Sequence, residues 1–170
     1  MLAFAVLDLV LSWLSANAVW LSIGLTVAHA TEELVEGPLW QYFERAGGPH
    51  LSDAAGFSLF TVGLVAATSI VSWFAYDGSY AWVNGGDAQR KFAVGLLIGM
   101  RMGDTLFSHY LLSLVVPGRN PGIYTTLGYV VEAAVLAHAV GFHPAGAVLG
   151  ALAFAAVNPV IGVPALRHVG

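Results

Sequence analysis

The stretch VAHATEELVEGPLW, Val27 to Trp40, sets one imidazole and three carboxylates, His29, Glu32, Glu33 and Glu36, directly after a long apolar run. In a helix, His29 lies three residues from Glu32 and four from Glu33, so both carboxylates can reach the imidazole or a ligand shared with it. Ser15, Ser22, Thr26, His29, Glu33 and Glu36 are separated by 7, 4, 3, 4 and 3 residues, which places them on one face, with Glu32 at its edge. Two chemistries fit such a stripe. Imidazole with carboxylates suits zinc or iron. A carboxyl group removed from water holds its proton more firmly and can act as a buried acid.

These residues must be positioned by elements that sit in lipid. Of 170 residues, 58% are hydrophobic and 9% charged, and the mean hydropathy is +0.76. A soluble domain carries about a quarter charged residues. The expectation is an all-α integral membrane protein: one domain, 1–170, built as a bundle of about five transmembrane helices. Five stretches approach the ~20 apolar residues that cross a bilayer core. They run from Leu11 to Val35, Ala54 to Ala75 (with Asp53 as N-cap), Phe92 to Val116, Gly122 to Gly141 and Ala145 to Val163. The segments GPLWQYFERAGGPHLS, YDGSYAWVNGGDAQRK, PGRNPG and FHP read as turn-forming connections.

Ala16-Asn17-Ala18 resembles a signal-peptide cleavage site, but the preceding residues hold no Lys or Arg and Asp8 interrupts the apolar run, so the segment reads as the lead into the first membrane helix. Basic residues divide too evenly between the two sides to orient the bundle. The net charge of −4 comes with no basic run, which leaves nucleic acid without an electrostatic footprint. The absence of cysteine excludes disulfides, thiolate metal sites and a cysteine nucleophile. The lipid bilayer is the expected partner. Gly95, Gly99 and Gly103, and Gly146 and Gly150, form small-residue ladders that let helices approach closely, within one bundle or as a homodimer seam.

The later spans add polar residues. The third carries Arg101, Asp104 and Ser108 along one face, with Thr105 and His109 on a neighbouring one. Arg101 and Asp104 read as an i,i+3 ion pair. The fourth carries Tyr129 and Glu132, and the fifth Asn158. His138 and His143 read as interfacial, and Glu36 as a solvated helix end. At 1.5 Å per residue, Asp104 and Glu132 fall near the bilayer centre and His29 and His109 about 7 Å from it, on the same side. Ionisable groups at such depths mark a site or pathway. The candidate catalytic residues are therefore His29, Glu32, Glu33, Asp104, His109 and Glu132. Thr26, Arg101, Tyr129 and Asn158 are candidates for holding substrate.

His29-Ala30-Thr31-Glu32-Glu33 resembles the signature of the HXXEE-domain family of small bacterial membrane proteins, and Gly37-Pro38-Leu39-Trp40 is similar to the residues C-terminal to that signature in the family. The family carries a second histidine, here His109, and a Y-x-P-G motif, here Arg119-Asn120-Pro121-Gly122 with Arg119 in place of the tyrosine. Tyr124 is nearby but out of register. The resemblance runs from Leu21 to Val130. It implies several membrane helices, in a bacterial inner membrane, and no settled activity.

Three functions are compatible with these residues. The first is a membrane-embedded enzyme acting on a lipophilic isoprenoid, sterol-like or acyl substrate. It would be metal-dependent, with His29, Glu33 and His109 as ligands to zinc or iron, or metal-free, with Glu33 or Glu132 as acid and His29 as partner. The second is a small proton-coupled transporter or proton pathway, although no inverted repeat is visible. The third is haem or pigment binding by His29 and His109.

Overall fold

The computed structural model describes residues 2–76 and 86–157, which are mostly helical with no strand among them. Asn158 and the end of the expected fifth span lie outside the described residues. Helices α1 (Leu2–Ala16) and α2 (Ala18–Val35) replace the single expected helix from Leu11 to Val35. The chain bends by 75° between Asp8–Leu14 and Ala18–Val35. Asn17, at φ −109° and ψ 11°, causes the break. Its side-chain Nδ2 donates to the Trp13 carbonyl at 2.9 Å, the same oxygen its backbone N–H uses. Asparagine offers the backbone such alternatives to helical bonding.

After Gly37 (φ 123°) the chain enters a short helix, α3 (Leu39–Arg45), where the sequence reads as a connection. Flanking Gly and Pro mark a turn, but the apolar residues between them cover one side of two helical turns. Leu39, Trp40, Tyr42 and Phe43 are buried and form a core with Phe60, Leu112 and Val116. The next helix, α4 (53–76), is continuous, with π winding over Phe57–Gly63. Its cap is Ser52, whose Oγ accepts from the Ala55 N–H at 3.4 Å, rather than Asp53. Asp53 instead accepts from Trp40 Nε1 at 3.1 Å and Gln41 Nε2 at 3.3 Å, tying α3 to α4.

Helix α5 (86–115) is also continuous and becomes π-helical over Asp104–Leu111. An irregular segment with positive-φ turns at Gly118 and Gly122 leads into α6 (Thr126–Ala139), and α7 (Pro144–Val157) comes next. Helices α5 and α7 meet along the two glycine ladders. A Cβ on Gly95 would lie 2.5 Å from the His143 carbonyl, one on Gly146 would lie 2.5 Å from the Phe92 carbonyl, and one on Gly99 would overlap the Ala147 carbonyl. The ladders are therefore consumed within the chain. The backbone of α7 fills the approach at Gly95 and Gly99, and that of α5 fills it at Gly146 and Gly150.

Among the described residues, Asp53–Trp73 is long and apolar enough to cross a membrane, with 21 residues and a hydropathy of 1.9, and the bent α1–α2 pair passes the same test together. Thr126–Ala139 and Pro144–Ala156 are apolar but shorter. At 1.5 Å per residue, 14 residues reach roughly 21 Å, against about 30 Å of hydrocarbon core.

Gly99→Val should lower the melting temperature, because the added side chain must displace α7 backbone. Overpacking of this kind costs roughly 1–3 kcal/mol, or about 2–10 °C for a chain of this size. Gly24, on α2 with nothing within 4 Å of an added Cβ, is the control: Gly24→Ala should hold or raise the melting temperature, read by thermal unfolding of the purified protein.

Candidate metal centre

Helix α2 presents His29 and Glu33 one turn apart on its buried face, along with Ser22 and Thr26. Both site residues meet α5 at its π segment. The Nε2 of His29 lies 3.3 Å from Glu33 Oε1 and 3.2 Å from Asp104 Oδ2. The Nε2 of His109 lies 3.7 Å from the same Glu33 oxygen and 3.7 Å from Asp104 Oδ1. The two imidazole rings sit edge to face, 4.9 Å apart. Four side chains from two helices thus point at one small volume.

The π winding explains how Asp104 and His109 both reach it. In an α-helix, positions five apart are rotated by about 140° from one another. Winding with i→i+5 hydrogen bonds brings them toward one face. Regular α geometry puts Asp104 and His109 on neighbouring faces and pairs Asp104 with Arg101. That expected pairing is corrected: Asp104 contacts the two histidines, and Arg101 turns to Glu132.

Both histidines are anchored through their other nitrogen. His29 Nδ1 lies 2.6 Å from Thr125 Oγ1, and His109 Nδ1 lies 2.9 Å from Asn120 Oδ1. Both Nε2 atoms are buried and make no hydrogen bond. Unpaired buried polar atoms are costly and need a reason. A cation supplies one. Tetrahedral coordination with bonds of about 2.1 Å places ligand atoms about 3.4 Å apart. The measured separations of 3.2 to 3.7 Å bracket that value. His29, Glu33 and His109 each offer an atom within 4.8 Å of the others, and Asp104 completes the set. Two carboxylates also carry the charge that balances a divalent ion.

Glu32 stands apart from this set. Its Oε1 accepts from the Tyr124 N–H at 3.1 Å and its Oε2 from the Thr125 N–H at 2.8 Å. It caps the start of α6 from another helix instead of facing the centre, so the structure does not bring it together with the other expected catalytic residues. Gly122 closes the site from the same segment. At φ 83°, a Cβ there would lie 2.8 Å from Cε1 of each histidine and 2.9 Å from Glu33 Cγ. Glu36 pairs with Arg119, which also lies over the Tyr124 ring at 4.9 Å, so Arg119 straps the segment to α2. His138 and His143 take no part in the centre.

The remaining candidates form a second layer. Arg101, 4% exposed, donates from Nε to Glu132 Oε2 at 3.1 Å and from Nη2 to Thr26 Oγ1 at 2.6 Å, Ser22 Oγ at 3.2 Å and the Ser22 carbonyl at 3.2 Å. Its guanidinium lies 4.0 Å over the Tyr129 ring, and that ring lies 4.8 Å from His29. Thr26, Arg101, Tyr129 and Glu132 are thus brought together beside His29. Glu132, expected as a buried acid, is paired with the Arg101 guanidinium. Sequence reasoning missed Asn120, Gly122 and Thr125 as parts of the site. The only signal was the Asn-Pro-Gly turn and the Thr pair ahead of α6.

Gly122→Ala should destabilise the fold and disturb the site together, since the added methyl meets three ligand side chains and the backbone there disfavours L-residues. The expected loss is about 1–3 kcal/mol, read as a lower melting temperature. Arg101→Leu leaves Glu132 buried without its cation and should cost roughly 3–5 kcal/mol; the double variant with Glu132→Leu should recover part of that loss in the same measurement.

The profile of a family described as a protein of unknown function with HXXEE motif matches residues 20–137. No curated protein and no solved structure matches the chain. The match takes in both histidines, both glutamates of the motif, Asp104, and the 120–125 segment that orients the ligands: this chain belongs to the HXXEE family.

Proposed function

We propose that this protein is an integral membrane enzyme that binds one divalent transition-metal ion through His29, Glu33, Asp104 and His109 and acts on a lipophilic substrate. The observation that carries the reading is the convergence of two buried, unbonded Nε2 atoms on two carboxylates. The nitrogen and oxygen donors suit zinc or iron. Such an ion supplies Lewis-acid activation of a bound group. Asp104, with its side chain 16% exposed, is the least covered of the four and marks the side from which a substrate approaches.

Membrane insertion is supported by the apolar helix Asp53–Trp73, of which 17% is buried within the chain, and by exposed Trp13, Trp20, Leu114 and Leu152. A lipophilic substrate is supported by an apolar groove of about 460 Å³ between α2 and α6, walled by Leu21, Leu25, Val131 and Val135. Its Ala28 and Gly128 immediately precede His29 and Tyr129 in sequence, so the groove reaches the level of the metal ligands. A proton pathway is the second reading. It is favoured by Glu36, one turn beyond Glu33, which lines a polar cavity of about 670 Å³ with Glu44, His50 and Asp53.

Elemental analysis of the detergent-purified protein should find one equivalent of zinc or iron. His29→Ala, Glu33→Gln, Asp104→Asn and His109→Ala should each lose it. A wild-type chain that takes up no metal even after reconstitution, together with proton flux in proteoliposomes that Glu33→Gln abolishes, would replace the enzyme reading with the second one.

A further inference from the structure

The two glutamates of the HXXEE motif do different work. Glu33 faces the shared volume between the histidines. Glu32 faces away from it and grips backbone N–H groups of Tyr124 and Thr125. We propose that the segment 120–125, held in place by Glu32, fixes which nitrogen of each histidine carries the proton. This deepens, and for its metal affinities rests on, the metal reading above.

Hydrogen-bond donors and acceptors decide the two tautomers. Asn120 has two amide protons. Its Nδ2 donates to the Ser108 carbonyl at 2.8 Å and to the His109 carbonyl at 2.9 Å. With Nδ2 so committed, Oδ1 is the atom that faces His109 Nδ1 at 2.9 Å, and an amide oxygen only accepts. His109 must therefore carry its proton on Nδ1. Thr125 has one hydroxyl proton and an acceptor for it in the Gly122 carbonyl at 3.2 Å, a group that can only receive it. With the proton placed there, the oxygen presents a lone pair to His29 Nδ1 at 2.6 Å, and that nitrogen carries a proton. With both protons on Nδ1, a neutral imidazole has its lone pair on Nε2, and these are the two atoms that converge without hydrogen bonds. An outer partner of this kind sets the ring's tautomer and orientation, and removing one typically costs 10- to 100-fold in metal affinity.

Asn120 is 3% exposed, so water does not substitute easily for its amide. Thr125 depends on Glu32, whose two oxygens take the N–H groups of Tyr124 and Thr125 ahead of the first turn of α6. A carboxylate is favoured there by the helix dipole. Gly122 lets the segment close against both rings. These are positioning residues: each acts on the metal ligands without facing the cation.

The test is long-range nitrogen–proton NMR of full-length protein labelled with nitrogen-15 at histidine, recorded with and without zinc. The expected result is a protonated Nδ1 on His29 and His109 in both states, with zinc shifting the two Nε2 resonances. Asn120→Leu should release His109 from that tautomer and weaken zinc binding by about 10- to 100-fold, while Asn120→Asp, which keeps the acceptor, should retain both. Thr125→Val and Thr125→Ser should behave likewise at His29. Glu32→Gln should still bind zinc, more weakly, where Glu33→Gln loses stoichiometric binding.

A bare Nδ1 on either histidine in the wild type would overturn the assignment without need of any variant. So would zinc affinity in Asn120→Leu and Thr125→Val within about twofold of wild type, against the 10-fold or greater loss expected when an outer partner is removed. Protonated Nδ1 atoms with no response to zinc would uphold the assignment and defeat the metal reading instead.

Discussion

Two carboxylates and two imidazoles occupy a volume a few ångströms across, with side-chain exposure between 0% and 16%. Charges removed from water in this way are expensive unless they are paired and hydrogen-bonded. That cost organises the middle of the molecule. It calls for opposite charge or hydrogen bonds at the carboxylates, partners for the outward nitrogens of the histidines, and a backbone arranged so that none of these groups is displaced. The π segment of α5, the positive-φ turn at Gly122 and the capping of α6 by Glu32 each answer one of those requirements.

The buried acids are sorted between two clusters. Glu33 and Asp104 go to the histidines, and Glu132 goes to Arg101. Tyr129 stands between the clusters, one side of its environment taken by the guanidinium and another by the His29 ring. The second cluster is closed by its own hydrogen bonds to Ser22 and Thr26, and a bond of 2.8 Å between Ser22 and Ser72 carries it on to α4. It therefore braces helices against one another beside the His29 ring. Helix α7 contributes no charge to either cluster. Its glycine contact with α5 fixes the helix that supplies Asp104, His109 and Arg101.

The apolar exterior and the polar interior are two sides of one distribution. Large hydrophobic side chains such as Leu9, Val35 and Leu114 are exposed, while Arg101, Glu33 and both site histidines are buried. Charge is found in both places: Glu33 and Arg101 are buried where helices meet, while Asp8, Glu44, Arg45, Asp53, Asp87, Arg90 and Arg119 are on the surface.

Local periodicity is enough to read part of this. His29 and Glu33 are four residues apart on a regular helix, so their common face, and the stripe through Ser22 and Thr26, are legible in the sequence alone. Hydropathy locates the helices, apart from the break at Asn17 and the short α3, where local hydrogen bonding and a two-turn apolar face outweigh the average composition. The second half of the site is not legible. Asp104 and His109 share a face only because α5 winds as a π-helix there, and side-chain spacing cannot announce a change of winding. Which acid meets Arg101, and that Glu32 caps a helix far away in sequence (Thr125 N–H to Glu32, 2.8 Å), are matters of how helices cross. The constant rotation per residue determines the angular order of side chains around one helix, and that much the sequence carries by itself. Which residue of another helix lies opposite is set by close packing of the whole, and that only the tertiary structure decided.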